Sequence, residues 1–367
     1  MSGSTMQTKG VLLHGADDVL RLLREKGVKK PMVVCGKSFL NTGLMRQLSA
    51  FSPVVFSDVR PNPRFEDMKT AREMFLENGC DFLIGAGGGS PLDSAKMVKL
   101  MVTNPEETWL TGMAANDIGF LAIPTTSGTG SEATRYSIFY IGDKKYSVSN
   151  ADFLADYVLL EPAFLQTVPL YQRKCTCLDA LCHAIESYWS VRSSAESRAY
   201  AEKAIGLFWQ ALDGYMQNEP QGNRDMLLAS YWAGKAIDCT ATTAGHALCY
   251  NLTIYCHTAH GHSVALCMRS LWQYMLSHPD LPVNDARGNA YVQAALTALG
   301  HMMGGSTAAD GAAVFEKLLQ RFALETPVMP AGTPEAFAQK VDVSRLSNNP
   351  LALSTSDVIH IYSRIFS

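Results

Sequence analysis

Four of the nine histidines in this chain lie in one short segment, GHALCYNLTIYCHTAHGHSVAL at 245–266. They are His246, His257, His260 and His262. Upstream, DALCHAIESYW places Asp179 and His183 four residues apart, so both side chains project from one face of a helix. A carboxylate and an imidazole in this arrangement, with further imidazoles elsewhere in the chain, suit a site for one divalent metal ion.

The spacing of His246 and His260 constrains how the later segment folds. Fourteen residues on one straight helix would separate the two side chains by about 21 Å, at about 1.5 Å per residue. Bonds from a metal ion to its ligands are only about 2 Å long. The segment must therefore break, and we expect the break in the stretch NLT at 251–253, which is poor in helix formers. A second helix is predicted to begin near residue 260.

Three neighbouring side chains are interpreted as supporting groups. His257 and His262 are expected to be bystanders or to line a cleft, because four ligands already suffice for one ion. Glu186 shares a helix face with Asp179 and His183, and we expect it to orient a ligand or to pack between helices rather than act as a catalytic base. Taken alone, His183 on an apolar helix would be an ordinary core histidine; Asp179 one turn earlier favours ligation.

A second motif, GAGGGSPLDSAK at 85–96, has the composition of a phosphate-binding turn. Ser90 is predicted to cap the following helix, Pro91 to take its first position and Asp93 to complete a capping box. Glycines before a helix start let backbone N–H groups approach a pyrophosphate, and the helix dipole adds attraction. The pattern is not the Rossmann fingerprint, and by itself it is equally consistent with a tight turn. A similar small-residue loop, TTSGTGSEAT at 125–134, follows the strand FLAIP and favours the nucleotide interpretation.

The elements that must position these residues fall into two halves. Buried strands alternating with amphipathic helices predict a parallel sheet with right-handed crossovers. The predicted strands are 31–36, 52–59, 81–87 and 120–124, a β-rich excursion at 137–150 and a last strand within 156–162; the first helices are 15–27 and 64–79. Helical periodicity then takes over at 171–190, 193–217, 223–238, 262–277, 284–302, 308–323, 334–341 and 356–366. We therefore predict an α/β domain over 1–170 and an all-helical domain over 171–367, with the site in a cleft between them.

Composition excludes several classes of protein. The net charge of −3 and the lack of a basic stripe argue against a nucleic-acid partner. No apolar run approaches the roughly 20 residues that span a bilayer, which argues against a membrane protein. The first ten residues lack the apolar core of a secretory signal, so a cytoplasmic location is expected. The nine cysteines contain no CxxC pair, which excludes a zinc ribbon and favours reduced thiols.

Five motifs, in the order found here, make the whole chain resemble the iron-containing, group III alcohol dehydrogenases: PNP, GGGSPLDSAK, PTTSGTGSE, DALCHAIESYW and GHALCYNLT…HGHSVAL. The resemblance implies an α/β domain that binds NAD(P)H, an all-α domain, one divalent metal, Fe(II) or Zn(II), and a homodimer. The implied metal ligands are Asp179, His183, His246 and His260. The implied cofactor contacts are Gly88, Gly89, Ser90, Asp93, Thr125, Thr126, Thr129 and Lys145.

The chain departs from the family pattern at three positions. Tyr250 stands where many members carry a further histidine, and Ala259 stands where a proline usually precedes the last ligand. Tyr250 or a water molecule is then the candidate for proton transfer; Asp93 is the other candidate catalytic residue. Ser57 aligns with the Asp that grips the ribose diol in many relatives, so Ser57 is a candidate cofactor contact. Loss of that carboxylate removes repulsion of a 2′-phosphate and favours NADPH over NADH.

The resemblance implies hydride transfer between a nicotinamide and a small aldehyde or primary alcohol, with a metal ion acting as a Lewis acid on the carbonyl oxygen. Tyr250, DKKYSVSN and ESYWSVRSSAESR are similar to the phosphonoacetaldehyde reductase branch, which makes Arg135 a candidate for binding an anionic substrate group. Polyol oxidation of the glycerol dehydrogenase type, a lyase of the dehydroquinate synthase type and a non-catalytic nucleotide-binding protein are the alternatives.

Overall fold

A computed structural model of the protein describes residues 9–104, 114–142, 144–329, 333–341 and 343–366. The chain divides into two compact units, Met1–Thr167 and Val168–Ser367. The first eight residues, on which the argument against a secretory signal depends, lie outside the described ranges. No helix in the described part of the chain combines the length and the apolar character needed to cross a membrane.

The first unit is built on a parallel sheet of six strands in the order β1-β8-β5-β4-β2-β3, which confirms the predicted sheet. Its strands are β1 (Val11–Leu13), β2 (Pro31–Cys35), β3 (Val54–Phe56), β4 (Phe82–Gly87), β5 (Gly119–Pro124) and β8 (Tyr157–Leu159). The predicted β-rich excursion is an antiparallel hairpin of β6 (Tyr136–Ile141) and β7 (Lys144–Ser149). The helices of this unit are α1 (Ala16–Glu25), α2 (Gly43–Leu48), α3 (Phe65–Glu77) and α4 (Gly89–Thr103).

Both faces of the sheet are covered, so the central strands are apolar at every position. Side chains of β2, β4 and β5 are buried along almost their whole length, as expected for parallel strands. Because neighbouring strands run in one direction, the carboxyl ends of β3, β2, β4 and β5 meet at one edge. There Thr125 N donates to the Gly87 carbonyl at 2.8 Å, which ties the two small-residue loops together where they leave the sheet.

The described residues of the second unit are mostly helical. They are α5 (Leu170–Trp189), α6 (Ala195–Met216), α7 (Pro220–Thr240), α8 (Ala244–Tyr255), α9 (His260–Ser277), α10 (Asn289–Met302), α11 (Ala308–Phe322), α12 (Pro334–Ala338), α13 (Val343–Leu346) and α14 (Thr355–Phe366). Helix α5 lies at the centre and packs against α6, α7 and α9; every residue from Cys175 to Trp189 is buried. Trp189 meets Trp272 edge to face with ring centroids 5.6 Å apart. All nine cysteines lie within the described ranges, and no disulfide joins any two of them.

Two local predictions were wrong. The break is not at 251–253, because α8 continues to Tyr255 and the chain turns at 256–259, where His257 adopts a left-handed φ of 53°. Asn251 tolerates the helix because its buried amide donates to the Phe337 carbonyl and the Tyr362 hydroxyl, so tertiary contacts outweigh helix propensity. The second helix does begin at His260, as predicted.

The predicted capping box at the start of α4 is also absent. This helix begins at Gly89 with Gly88 as its N-cap, so Ser90 lies inside the first turn and does not cap it. The Asp93 carboxylate instead accepts hydrogen bonds from the Ser131 hydroxyl at 2.6 Å and from Ile138 N at 3.0 Å. Asp93, which was predicted to cap α4, therefore links this helix to the loop after β5 and to β6 by hydrogen bonds.

Candidate active site

Helix α5 presents three acidic or basic side chains along one buried stripe. Asp179, His183 and Glu186 follow one another at intervals of about one turn, and all three are buried. Charged groups are rarely buried in this way unless other groups pair with them. The partners come from α8 and the start of α9.

Three imidazole Nε2 atoms converge on one carboxylate oxygen, Asp179 Oδ1. The distances are 3.3 Å for His246, 3.7 Å for His260 and 3.9 Å for His183. Ligand atoms that surround one ion tetrahedrally with bonds of about 2.1 Å lie about 3.4 Å apart. The spacing of the donors from Asp179, His246 and His260 fits a single divalent ion, and His183, the fourth predicted ligand, faces the same carboxylate oxygen from outside this group of mutually close donor atoms.

The geometry is tightest for three of the four candidate ligands. One donor atom from each of Asp179, His246 and His260 lies within 4.8 Å of the others, and within the described residues no other such group of His, Cys, Asp or Glu side chains occurs. The His183 ring stacks on the His246 ring, with centroids 4.4 Å apart and planes inclined by 12°. His257, which is exposed, and His262 are not part of this group.

Gly261 allows His260 to reach the other ligands. A Cβ atom at this position would overlap the carbonyl oxygen of Cys175 on α5 and would lie 3.1 Å from the Asp179 Cβ. The N-terminus of α9 therefore packs directly against the α5 backbone, and this close approach carries His260 to Asp179. No side chain larger than hydrogen fits at residue 261 without separating the two helices.

Glu186 orients His246, in agreement with the supporting role expected for it. Its carboxylate pairs with His246 Nδ1 and accepts hydrogen bonds from Thr243 Oγ1 at 2.7 Å and from the backbone N–H groups of Thr243 and His246, both at 3.2 Å. A proton on Nδ1 leaves the lone pair of Nε2 facing Asp179, which is the tautomer that binds a metal.

The charges of the cluster favour cation binding. Burial alone would raise the pKa of Asp179, but His183, His260 and His246 outweigh it and lower that pKa to about 2. Burial also opposes the charged form of His246, but Glu186 and Asp179 prevail and raise its pKa to about 10. The pKa of Glu186 is likewise lowered by His246 and its hydrogen bonds, despite complete burial. Both carboxylates are therefore ionised at neutral pH, and a metal ion would displace the proton on His246.

Tyr250 lies beside this cluster on α8. Its ring is 5.9 Å from the His260 ring, with planes inclined by 23°, and its hydroxyl accepts a hydrogen bond from Arg345 Nη1 at 2.8 Å. The Arg345 guanidinium also lies 5.2 Å from the Tyr250 ring centroid. Sequence analysis did not single out Arg345, because it lies on the short helix α13, about 95 residues from Tyr250, and belongs to no motif.

The predicted cofactor contacts gather at the carboxyl edge of the sheet. A Cβ at Gly88 would lie 3.3 Å from Thr126 Oγ1, and one at Gly89 would lie 3.1 Å from Thr129 Cγ2, so the two loops face each other at van der Waals distance. Burial raises the pKa of Asp93, and the positive charges of Lys96 and, more weakly, of Lys145 on the hairpin oppose that rise only in part. Ser57 follows the edge strand β3, two strands away from β4.

Two buried charges near these loops were not anticipated. Lys96 is fully buried, and its ammonium donates to Ser131 Oγ at 2.9 Å, Thr134 Oγ1 at 3.2 Å and the Tyr136 carbonyl at 2.7 Å. Glu132 is 3% exposed, and burial raises its pKa to about 7. Neither residue type signals burial in a sequence, because Lys and Glu are usually exposed.

Comparison with known proteins agrees with this geometry. Residues 12–162 match the family model described as iron-containing alcohol dehydrogenase, and residues 174–366 match the C-terminal model of the same family. The chain is 29% identical to long-chain-alcohol dehydrogenase 1 of Geobacillus thermodenitrificans, over 96% of this chain and 93% of that protein. It is 30% identical to phosphonoacetaldehyde reductase of Streptomyces viridochromogenes, over 62% of each. The crystal structure of sulfoacetaldehyde reductase from Bifidobacterium kashiwanohense in complex with NAD⁺ superimposes with a TM-score of 0.87 at 22% identity, covering 98% of both chains.

Proposed function

This chain belongs to the iron-containing alcohol dehydrogenase family and is an alcohol or aldehyde oxidoreductase, and we propose that it interconverts a small aldehyde and its primary alcohol by hydride exchange with NAD(P)H. The observation that carries the proposal is the convergence of three imidazole Nε2 atoms on Asp179 Oδ1 within 3.3–3.9 Å. Intact ligand geometry, with a carboxylate holding one imidazole in the metal-binding tautomer, is expected of an active centre.

We propose that Asp179, His183, His246 and His260 hold one divalent ion, Fe(II) or Zn(II). When bound, such an ion supplies Lewis acidity that stabilises negative charge on the substrate oxygen. The protein residues fix the position of that charge: Gly261 lets His260 approach, Glu186 orients His246, and burial of the cluster keeps the local dielectric low. Nitrogen and oxygen ligands suit both metals, so the ion loaded depends on its availability.

Tyr250 is the proposed proton-transfer residue, because its ring stacks beside the candidate ligand His260 and its hydroxyl is held by Arg345. Asp93 was the other candidate, but its two carboxylate oxygens accept hydrogen bonds from Ser131 and Ile138 within the first unit. We therefore assign Asp93 to positioning the loop after β5 rather than to proton transfer.

The nicotinamide cofactor is proposed to bind along the loops after β4 and β5. The glycines at 88 and 89 face Thr126 and Thr129, and both glycines and Ser90 are partly exposed, so backbone N–H groups at the start of α4 are offered to a pyrophosphate. Absence of a carboxylate at Ser57, directly after β3, favours NADPH over NADH.

Steady-state assays of NADPH and NADH oxidation with short aldehydes, before and after dialysis against a chelator, test this function. The proposal predicts oxidation that the chelator abolishes and that added Fe(II) or Zn(II) restores. Activity confined to glycerol and NAD⁺ would indicate a polyol dehydrogenase, and turnover without net change in cofactor absorbance would indicate a lyase. Cofactor binding without any turnover would refute an enzymatic role.

A further inference from the structure

We propose that Lys96 is a positioning residue for the nicotinamide cofactor. From the interior of the first unit it holds the loop after β5 (125–134) against α4, and it thereby sets the spacing of the two backbone segments that the diphosphate is proposed to contact. This inference rests on the proposed function and adds a residue to its cofactor site. It is carried by the hydrogen bonds that a fully buried lysine makes to that loop.

The Lys96 ammonium bonds to three oxygen atoms that follow one another along the chain. It donates to Ser131 Oγ at 2.9 Å, to Thr134 Oγ1 at 3.2 Å and to the Tyr136 carbonyl at 2.7 Å. Ser131 and Thr134 belong to the loop after β5, and Tyr136 begins β6. A buried ammonium needs acceptors of this kind to replace its lost hydration. One cation on α4 therefore holds the end of the loop at three points.

The Ser131 hydroxyl connects Lys96 to Asp93. It accepts a hydrogen bond from the ammonium and donates its proton to Asp93 Oδ1 at 2.6 Å. Asp93 lies about one turn before Lys96 on α4, and its Oδ1 atom is 3.9 Å from Lys96 Nζ. Because both partners of the hydroxyl are on one helix, Ser131 cannot move away from α4 without breaking two charge-assisted hydrogen bonds.

The loop reaches from Ser131 to the start of α4, where the diphosphate is proposed to bind. Ser131 N donates to Thr129 Oγ1 at 3.3 Å, so the position of Thr129 depends on that of Ser131. A Cβ at Gly89 would lie 3.1 Å from Thr129 Cγ2, and one at Gly88 would lie 3.3 Å from Thr126 Oγ1. Release of Ser131 would therefore change the distance between the loop and the first backbone N–H groups of α4, which the diphosphate would contact.

Two other roles for Lys96 make different predictions. A lysine that only stabilised the fold would be matched by Lys99, which is also buried on α4 but donates to the Asp152 carbonyl at 3.2 Å instead of to the loop. A lysine that attracted the diphosphate through space would act by its charge alone. The variant S131A separates charge from positioning, because it removes the connection to the loop and keeps the ammonium.

Fluorescence titration of the metal-loaded protein with NADPH, or with NADH if the wild type binds it more tightly, measures the effect without turnover. K96M should raise the Kd by about 10- to 100-fold, and S131A, which loses one of the contacts, by about 3- to 10-fold. Two matched controls should change the Kd by less than about twofold. They are K99M and S137A; Ser137 is a buried residue of β6 whose hydroxyl donates to the Asp93 carbonyl and not to the loop.

Hydrogen exchange, resolved by peptide, tests the position of the loop before any nucleotide is added. The peptide spanning 125–134 should exchange faster in K96M and S131A than in the wild type, and at the wild-type rate in K99M and S137A. In steady-state kinetics, K96M should raise the KM for the nucleotide and change the KM for the aldehyde by less than about threefold. A variant that was only less stable would not separate the two KM values in this way.

Several outcomes would overturn the proposal. Weaker binding in K96M with wild-type affinity in S131A would mean that Lys96 acts by its charge, and equal losses in K96M and K99M would mean that it only stabilises the fold. If K96M does not fold, the affinity and the loop exchange of S131A decide the question. A wild type that binds a nicotinamide nucleotide but reduces no aldehyde would refute the proposed reaction, and the measured affinities would still decide the role of Lys96. A wild type that binds neither nucleotide would refute both proposals.

Discussion

Replacing Glu132 by glutamine should remove a pH dependence of stability that the buried carboxyl group imposes. Glu132 is 3% exposed, and one of its carboxylate oxygens, Oε1, has no hydrogen-bond partner among the described residues. Burial raises the pKa of this group from 4.5 to about 7; hydrogen bonding to its own backbone and the charge of Lys96 oppose the shift only in part. The folded protein therefore favours the protonated acid at pH values below about 7.

The size and sign of the effect follow from linkage. A pKa raised from 4.5 to about 7 corresponds to about 3 kcal/mol between the two protonation states. Because the folded-state pKa lies above the unfolded one, this stabilisation is fully present below about pH 4.5. It is lost progressively as the pH rises from about 4.5 through about 7, and above about pH 8, where the group is ionised in both states, none of it remains.

Urea unfolding followed by far-ultraviolet circular dichroism between pH 5 and pH 9 measures this contribution. The free energy of unfolding of the wild type, relative to E132Q, should fall by about 2–3 kcal/mol across that range, most of it between pH 5 and pH 7. E77Q, which removes an exposed acid from α3 in the same unit, should show a constant difference. If the difference in unfolding free energy between the wild type and E132Q were also independent of pH, Glu132 would not be a buried carboxyl group with a pKa near 7.

Three further substitutions test the metal centre and its surroundings. G261A should separate α9 from α5, and elemental analysis should then find no stoichiometric metal. The control G206A, whose added Cβ has no neighbour within 4 Å, should bind metal normally. An intact metal centre in G261A would show that close packing of the two helices is not required. E186Q should weaken metal binding, measured in competition with a chelator, by about 10- to 100-fold, because a glutamine lacks the negative charge with which Glu186 orients the His246 ring. An unchanged metal affinity would contradict that role of Glu186. Y250F should lower kcat and alter its pH profile; if both are unchanged, Tyr250 does not transfer the proton.

The predictions that the structure supports were based on the local spacing of residues. The four-residue spacing of Asp179 and His183 placed both on one helix face, and the same periodicity placed Glu186 beside them. The separation of His246 and His260 required two helices, and α9 begins at His260. In the first unit, alternating strands and helices predicted the parallel sheet.

Features that depend on tertiary contacts could not be predicted. The break between α8 and α9 was misplaced because Asn251 is stabilised in a helix by Phe337 and Tyr362, which are distant in sequence. Arg345 reaches Tyr250 from a four-residue helix that has no periodic pattern. Similarly, the three-residue strand β1 is too short and too exposed to show alternation.

The acid Asp93 illustrates how a local motif can mislead. Its position after Ser90 and Pro91 is typical of a capping box, yet its carboxylate bonds to Ser131 and Ile138 instead. Those partners lie about 40 residues away, so the local pattern cannot distinguish a cap from a link between elements. A buried polar group takes whichever partners the assembled fold brings to it.

Metal titration of the chelator-treated protein, with X-ray absorption at the edge of the added Fe(II) or Zn(II), tests the central claim most directly. The account predicts one ion per chain, surrounded by imidazole nitrogens and one carboxylate oxygen at about 2.0–2.2 Å. Binding should be lost in D179N and H246Q and retained in H257Q, whose histidine is exposed and outside the cluster. An ion bound equally well by D179N, or none bound by the wild type, would contradict the proposed centre.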